Sequence, residues 1–389
     1  MLRRVKVIGL MSGTSADAID AALVEWPDGA RATPFQLLAY LERPLEAPLQ
    51  QRIHRLCAGR VPGEDTLAEL TSLDVLLGEH FAEAARAVAR QAAVPLGEIA
   101  AIASHGQTVA HHPELRGSLQ IGDPSVIAER TGCRVVADFR ARDLAAGGEG
   151  APLAPFFHWA AMASAEESRA VLNLGGMANL TWLPRGGSPE DALAFDVGPA
   201  NALLDGAICT WSEGALRMDR DGARAARGRV HAETLERLLA DPFFRRPPPK
   251  STGRERYGLE EAEELVRSWR KAGRGLEDLL ATLVALTAES VARACRELLP
   301  GALERLLVGG GGTRNRALLR ALAARLPGVR IGPFDEVGVP ADAAEAMAFS
   351  LLGRNALLGL PNHLPRCTGA RGARVLGEQV PAGGAPLRA

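Results

Sequence analysis

Hydrophobic and polar positions fall into short apolar runs that stop at glycine-rich turns, separated by longer stretches with helical spacing. Val5 to Leu10 is short, β-branched and followed by Ser12, Gly13 and Thr14, which predicts a strand ending in a tight turn; Ile19 to Trp26 predicts the returning strand. Phe35 to Leu41 predicts a third strand, while Leu49 to Cys57 and Thr66 to Ala92 carry apolar residues at helical spacing without internal proline. Ile99 to Ser104 predicts a buried strand that delivers His105-Gly106-Gln107-Thr108 at its C-terminal end.

A similar unit starts again at Ala170. Val171-Leu172-Asn173-Leu174 runs into Gly175-Gly176-Met177-Ala178-Asn179 and then Leu180-Thr181-Trp182-Leu183, a second strand, glycine turn and strand. Ala194 to Val197 predicts a third strand ending at Gly198-Pro199. Helices are expected over Asn201 to Ser212, Ala232 to Leu239, Leu259 to Trp269 and Leu276 to Leu299. Strand Leu306 to Val308, the turn Gly309 to Gly312, a helix from Asn315, strand Val329 to Ile331 and a helix from about Asp342 complete the pattern. Two hairpin-led α/β units, each opening on a glycine turn, predict a duplicated fold with a cleft between its halves.

Length agrees, because 389 residues exceed what one core usually serves. With 47% hydrophobic and 23% charged residues the composition is that of a globular protein. Forty-five basic residues against 46 acidic ones, with no long block of either sign, advertise no polyanion partner, and 4% aromatic residues leave few stacking platforms for nucleic acid. Cys57, Cys133, Cys209, Cys295 and Cys367 are odd in number and lie far apart, which argues against a disulfide framework or a zinc site. Met1-Leu2-Arg3-Arg4-Val5-Lys6 enters a strand without the features of a leader, and no apolar run approaches the roughly 18 residues of a membrane span, so a cytoplasmic protein without membrane contact is expected.

The chemistry clusters at the turns. In Gly9-Leu10-Met11-Ser12-Gly13-Thr14-Ser15 glycine lets backbone N–H groups approach phosphate oxygens, and Ser12, Thr14 and Ser15 add hydroxyl donors. Asp17 and Asp20 follow, where a carboxylate would hold Mg²⁺ directly or through water. The same glycines serve equally in a plain hairpin turn. The chain has no GxxxxGK[ST], so the common phosphate loop is excluded. Gly309-Gly310-Gly311-Gly312-Thr313-Arg314-Asn315 follows a strand and opens a helix, which suits an adenosine contact better than a dinucleotide site, since the expected acidic residue about 20 positions on is missing.

Asp196 ends a strand, where a carboxylate faces a ligand crevice in most α/β folds or else simply serves the turn. Asp138-Phe139-Arg140-Ala141-Arg142-Asp143, followed by Gly147 to Pro152, packs charge and glycine into an expected interdomain crossing, where arginine would orient an acidic substrate. His105 suits either a sugar hydroxyl or a satisfied core position. Among only three lysines, Lys250 lies in Pro247-Pro248-Pro249-Lys250-Ser251-Thr252-Gly253-Arg254-Glu255, where it would touch nucleotide, order a lid or sit in a surface loop.

Taken together, Gly9 to Asp20, His105 to Thr108, Leu119-Gln120-Ile121-Gly122-Asp123, Asp138-Phe139-Arg140, Gly147 to Leu153, Asn173 to Asn179, Asp196 to Asn201, Pro249 to Glu255, Gly309 to Asn315 and Thr368-Gly369-Ala370 resemble the anhydro-N-acetylmuramic acid kinases, over nearly the whole chain. The resemblance implies a duplicated actin-like ATPase (ribonuclease H-like) fold with nucleotide and sugar in an interdomain cleft. It implies domains at 1–140 plus about 362–389 and at 141–361. It further implies use of ATP and Mg²⁺ to open 1,6-anhydro-N-acetylmuramic acid with water and phosphorylate O6, in cell-wall recycling, by a cytoplasmic homodimer. The catalytic aspartate then falls on Asp196, as base for the water, with Glu345 orienting sugar or water. ATP contacts fall on Gly13, Thr14, Ser15, Ala16, Asp17, Ala18, Ile19, Asp20, Asn173, Gly175, Gly176, Asn179, Gly310, Gly311 and Asn315; sugar contacts fall on His105, Gln107, Arg142 and Asn201; Mg²⁺ falls near Asp17. Departures from the family pattern are Ala16 for leucine, Ala18 and Ala200 for glycine, and Glu149 for glutamine; the glycine replacements require negative φ. A kinase for an ordinary sugar, a nucleotide-switching module and a dehydrogenase are the rival readings.

Overall fold

A computed structural model of the chain describes residues 4–59 and 65–383, with the backbone alone at Arg254 and Glu255. Met1 to Arg3, and residues 384–389 of the expected first domain, lie outside the described residues. The chain divides into two compact units, Met1–Met162 with Ala343–Ala389, and Ala163–Asp342. The borders expected at 140/141 and 361/362 therefore move to 162/163 and 342/343. The physical reason is that helix Ala154–Met162 packs against helix Ala344–Leu358, which itself lies on the first unit's sheet. The segment from Asp138 to Pro152, expected as a crossing, is internal to the first unit.

The first unit is built on β1 (Arg4–Ser12), β2 (Ala18–Pro27), β3 (Gln36–Pro44), β4 (Ile99–His112), β5 (Gly117–Ile121) and β6 (Val135–Ala137), with β12 (Glu378–Val380) returning from the far end of the chain. Its order is β3-β2-β1-β4-β6-β12, with β5 paired to β4. β1, β2 and β3 form an antiparallel meander, while β4 runs parallel to β1 and β6 parallel to β4. β4 runs well past the expected Ser104 because its second half finds a partner in β5. On one face Ile8, Leu10, Ile19 and Leu23 pack with Leu73, Leu77, Phe81 and Val88 of helix Thr66–Gln91. On the other lies helix Ala344–Leu358, apolar nearly all round and buried accordingly. Gly9 permits that contact: a Cβ there would stand 1.9 Å from the Ala346 carbonyl oxygen.

In the second unit β7 (Arg169–Leu174), β8 (Met177–Leu183), β9 (Leu193–Pro199), β10 (Arg305–Gly309) and β11 (Arg330–Pro333) are ordered β9-β8-β7-β10-β11. The first three again form an antiparallel meander and the last two again run parallel to the first. Around this sheet Leu172, Leu180, Phe195, Leu279, Leu283, Val291 and Leu306 form a separate core, largely against helix Leu276–Arg293. Both sheets thus follow the same path, an antiparallel third-second-first meander continued beyond the first strand by two strands parallel to it, which is the duplicated ribonuclease H-like arrangement of the actin-like ATPases.

Candidate active site

In the first unit the β1–β2 turn is held from below and leaves its tip open. Ser12 is buried and donates to Gln107 Oε1 (2.7 Å), while Gln107 Nε2 donates to the Gly13 carbonyl (3.1 Å). His54 Nε2 lies 2.8 Å from the Ser15 carbonyl, and the Ser15 hydroxyl donates to Asp17 Oδ1 at 2.7 Å. Thr14, Ser15 and Asp17 are exposed, whereas Ala16, Ala18 and Ile19 are core residues, so at those three only the backbone is available to a ligand. A Cβ on Gly13 would meet nothing nearer than Ser15 Oγ at 3.6 Å. The glycine therefore answers no packing demand and keeps space above the backbone clear, as a phosphate cradle requires.

The second turn repeats this arrangement. Asn173 pairs with Asn179 across β7 and β8, and the Gly175 and Gly176 carbonyls accept N–H groups of Ala200, Asn201 and Ala202 at 3.0 to 3.1 Å, docking the turn on the start of helix Asn201–Trp211. The nearest atom to a Cβ on Gly175 would be 3.7 Å away. Ala200 has φ −128° and Ala18 is not among the positive-φ positions, so both alanines replacing glycine meet the backbone requirement. Ala16, by contrast, takes a left-handed φ of 50°.

The late glycine run is mostly a packing device. A Cβ on Gly310 would come 2.2 Å from Asn173 Oδ1, and one on Gly312 would come 2.6 Å from Leu174 Cβ; at Gly311 there is open space. Asn315 is buried and caps helix Arg316–Arg325 through the Leu318 N–H at 3.0 Å. Asn201 Nδ2 donates to the Leu174 carbonyl at 3.0 Å. The side chains of Asn201 and Asn315 thus tie the glycine run and the second turn to their helices.

Asp196 stands in β9 opposite Asn179, and its surroundings come from the segment that contains Lys250. The Asp196 N–H donates to the Lys250 carbonyl (3.0 Å), and the Thr252 N–H donates to Asp196 Oδ2 (2.9 Å). Thr252 Oγ1 is buried with no hydrogen-bond partner among the described residues, a donor left over beside a carboxylate. Thr252 is a contact that sequence reading did not single out, since the quoted motif carried no sign of which backbone group would reach Asp196.

The other expected sugar contacts lie in the first unit. His105 is buried: its Nδ1 lies 2.9 Å from the Gly106 carbonyl and its Nε2 accepts from Arg140 at 2.9 and 3.2 Å. Burial and the Arg140 charge push its pKa down to about 3, so the ring is neutral. Both nitrogens are engaged within the protein, and the same holds for the polar atoms of Gln107. The structure thus uses His105 to aim Arg140, which also donates to the Gly150 carbonyl at 2.9 Å. Arg142 is exposed and donates to the Val375 carbonyl at 3.2 Å. Glu345, in the first turn of helix Ala344–Leu358, remains accessible to solvent, yet the surrounding protein displaces enough water to raise its carboxyl above the ordinary range, and the charge of Asp20 adds to the rise. Asp20 accepts from the Tyr40 hydroxyl at 2.6 Å.

A duplicated sheet whose two leading turns keep their backbones clear, with a gripped carboxylate beside the second, places the chain in the actin-like ATPase class. The sequence profile described as anhydro-N-acetylmuramic acid kinase matches residues 5–382, and the chain belongs to that family. The family's protein from Xanthomonas campestris pv. campestris is 47% identical over 96% of this chain and 97% of its own. That from Caldanaerobacter subterraneus subsp. tengcongensis is 41% identical over 96% of each. A looser likeness, 14% identical with a TM-score of 0.43 over 89% of this chain and 95% of the other, is to the activator of the 2-hydroxyisocaproyl-CoA dehydratase from Clostridium difficile. No helix among the described residues is long and apolar enough to cross a membrane.

Proposed function

We propose that the chain phosphorylates 1,6-anhydro-N-acetylmuramic acid with ATP while water opens the anhydro bridge, giving N-acetylmuramic acid 6-phosphate and ADP for cell-wall recycling in the cytoplasm. The observation that carries this reading is the placement of Asp196 in a chain of this family: a carboxylate on β9 with one oxygen held by the Thr252 N–H. Water attacks C1 and gives its proton to Asp196; the C1–O6 bond breaks, and O6 forms its new bond to the γ-phosphorus as the bond to the β-phosphate oxygen breaks. Backbone N–H groups of Gly13 to Ser15 and of Gly175 and Gly176 hold phosphate oxygens. Gly311, as the open member of its run, lies along the adenosine. Glu345 orients the water or the sugar, and Arg142 takes the acidic substituent.

Mg²⁺ prefers one or two carboxylates together with water and substrate phosphate. Asp17, exposed beside the first turn, meets that demand through water, and no group of three or more metal-ligating residues occurs among the described residues. The ion would neutralise phosphate charge. The active form is a homodimer.

Incubation with ATP, Mg²⁺ and the anhydro sugar in ¹⁸O-water should yield ADP and a 6-phosphate labelled at C1. Folded protein that gives no such product overturns the reading, and product without label at C1 favours a kinase acting on a preformed hydroxyl. Asp196→Asn should keep the fold and lose kcat by ~10²- to 10⁴-fold, the usual cost of a missing general base; an unchanged kcat removes Asp196 from that role.

A further inference from the structure

Lys250 is a lysine in a place that a surface loop would not require. It is one of three lysines among 45 basic residues, and only 4% of its surface is exposed. Its ammonium donates to the carbonyls of Phe243 (3.0 Å) and Phe244 (3.4 Å), lies 4.6 Å from the centre of the Phe243 ring and stands 5.7 Å from that of Phe195, the neighbour of Asp196. A buried ammonium carries a desolvation cost, which hydrogen bonds and aromatic faces offset only in part. Burial accordingly lowers its pKa to about 8, opposed by the negative charge of Asp196 and assisted by Arg246. An apolar side chain of similar length would fill the same space without that cost. What it would not do is tie the segment down by two carbonyls and place a positive charge beside Asp196.

The same segment grips Asp196 on both sides of its α-carbon. The backbone carbonyl of Lys250 accepts the Asp196 N–H (3.0 Å), and two residues on, the Thr252 N–H holds Asp196 Oδ2 (2.9 Å). Any slackness in residues 247–252 is therefore passed to the carboxylate. We propose that Lys250 is a positioning residue for the reaction: its ammonium, anchored on the Phe243 and Phe244 carbonyls, pins the Pro247 to Thr252 strap so that the strap holds the Asp196 carboxylate in one orientation. This rests on the reading of Asp196 as the base. Lys250 touches neither nucleotide nor sugar in this role, unlike Arg142 in the proposed reaction.

Lys250→Met keeps length and apolar bulk while removing the charge and both hydrogen bonds; Lys250→Arg keeps the charge and the donors. A base displaced by about 1 Å costs turnover on the order of 100-fold with little effect on ground-state binding. The methionine variant should lose kcat by about 10- to 100-fold, with KM for the sugar and the Kd for ATP within twofold of wild type, and the arginine variant should recover part of the loss. A folded methionine variant with unaltered kcat overturns the proposal, as does a loss confined to KM or to ATP binding, which would make Lys250 a binding residue. If both variants fail to fold, Lys250 is a folding residue and the proposal falls. Wild-type protein run alongside separates the two levels: an inactive wild type rejects the reaction, whereas an active wild type with an indifferent methionine variant rejects only the role of Lys250.

Discussion

At the scale of single residues, glycines that look alike in the chain have opposite duties. Gly13 and Gly175 have room for a side chain and Gly310 has none. Gly310→Ala would drive a Cβ to 2.2 Å from Asn173 Oδ1 and 2.9 Å from the Leu174 carbonyl, at a φ of 81° that alanine adopts at a cost. We expect a loss of ~1–3 kcal/mol in urea unfolding. Gly13→Ala should leave stability within ~0.5 kcal/mol of wild type and weaken ATP binding, seen by calorimetry. Equal stability losses in the two variants, or undiminished ATP affinity in Gly13→Ala, would contradict the division of roles. His105 and Gln107 show the same principle from the polar side. Their identities suit sugar hydroxyls, but hydrogen bonds to Arg140, Ser12 and Gly13, from segments distant in sequence, use their polar atoms.

At the scale of elements, a buried carboxylate joins two short segments that carry almost no pattern of their own. Asp143, in helix Ala141–Ala145, is fully buried; its Oδ1 lies 2.7 Å from His363 Nδ1 and accepts from the Thr368 hydroxyl (2.7 Å), and its Oδ2 accepts the Gly150 N–H at 2.8 Å. Burial pushes its carboxyl pKa up, and the hydrogen bonds from His363, Thr368 and Gly150 together outweigh burial, leaving it below the ordinary value. With the folded value depressed, the stabilisation is present above the unfolded pKa of about 3.9 and is lost as pH falls through the folded one. Asp143→Asn should therefore destabilise the protein by ~3–5 kcal/mol at pH 7, as removal of one partner of a buried pair does, and should flatten the fall in stability below about pH 4. Urea midpoints across pH 3 to 7 measure both, and a variant whose curve parallels that of wild type would show that Asp143 does not hold the two segments together. The expectation of a mere crossing here came from its charge and glycine content, which record nothing of the residues more than 200 positions away that complete it.

At the scale of the whole molecule, the second unit is one continuous stretch with its own core, and the first is not. A fragment of residues 163–342 should fold alone and melt cooperatively by circular dichroism. Residues 1–162 without the C-terminal segment should not, because helix Ala344–Leu358 covers β1, β2 and β4 and its removal exposes their apolar face. A cooperative melt from the shorter first fragment would show that the returning helix is dispensable.

By itself the sequence determined the elements whose information is local: two strand-turn-strand openings, the long helices, the absence of a common phosphate loop, and the strand that carries Asp196, which runs on to Pro199 and so holds Asp196 at its middle and not at the expected end. Strand alternation, helical spacing and turn chemistry act over a few residues, so they survive without tertiary context. Tertiary structure alone decided that β4 extends to meet β5, that β6 with three residues counts as a strand, and that helix Ala344–Leu358 belongs with the first sheet. It also decided which polar groups find partners within the protein: His105, Gln107 and Asn315 do, and Thr252 Oγ1 does not among the described residues. A hydrogen bond between distant segments forms or fails according to where folding brings its partner, and no period in the chain encodes that partner.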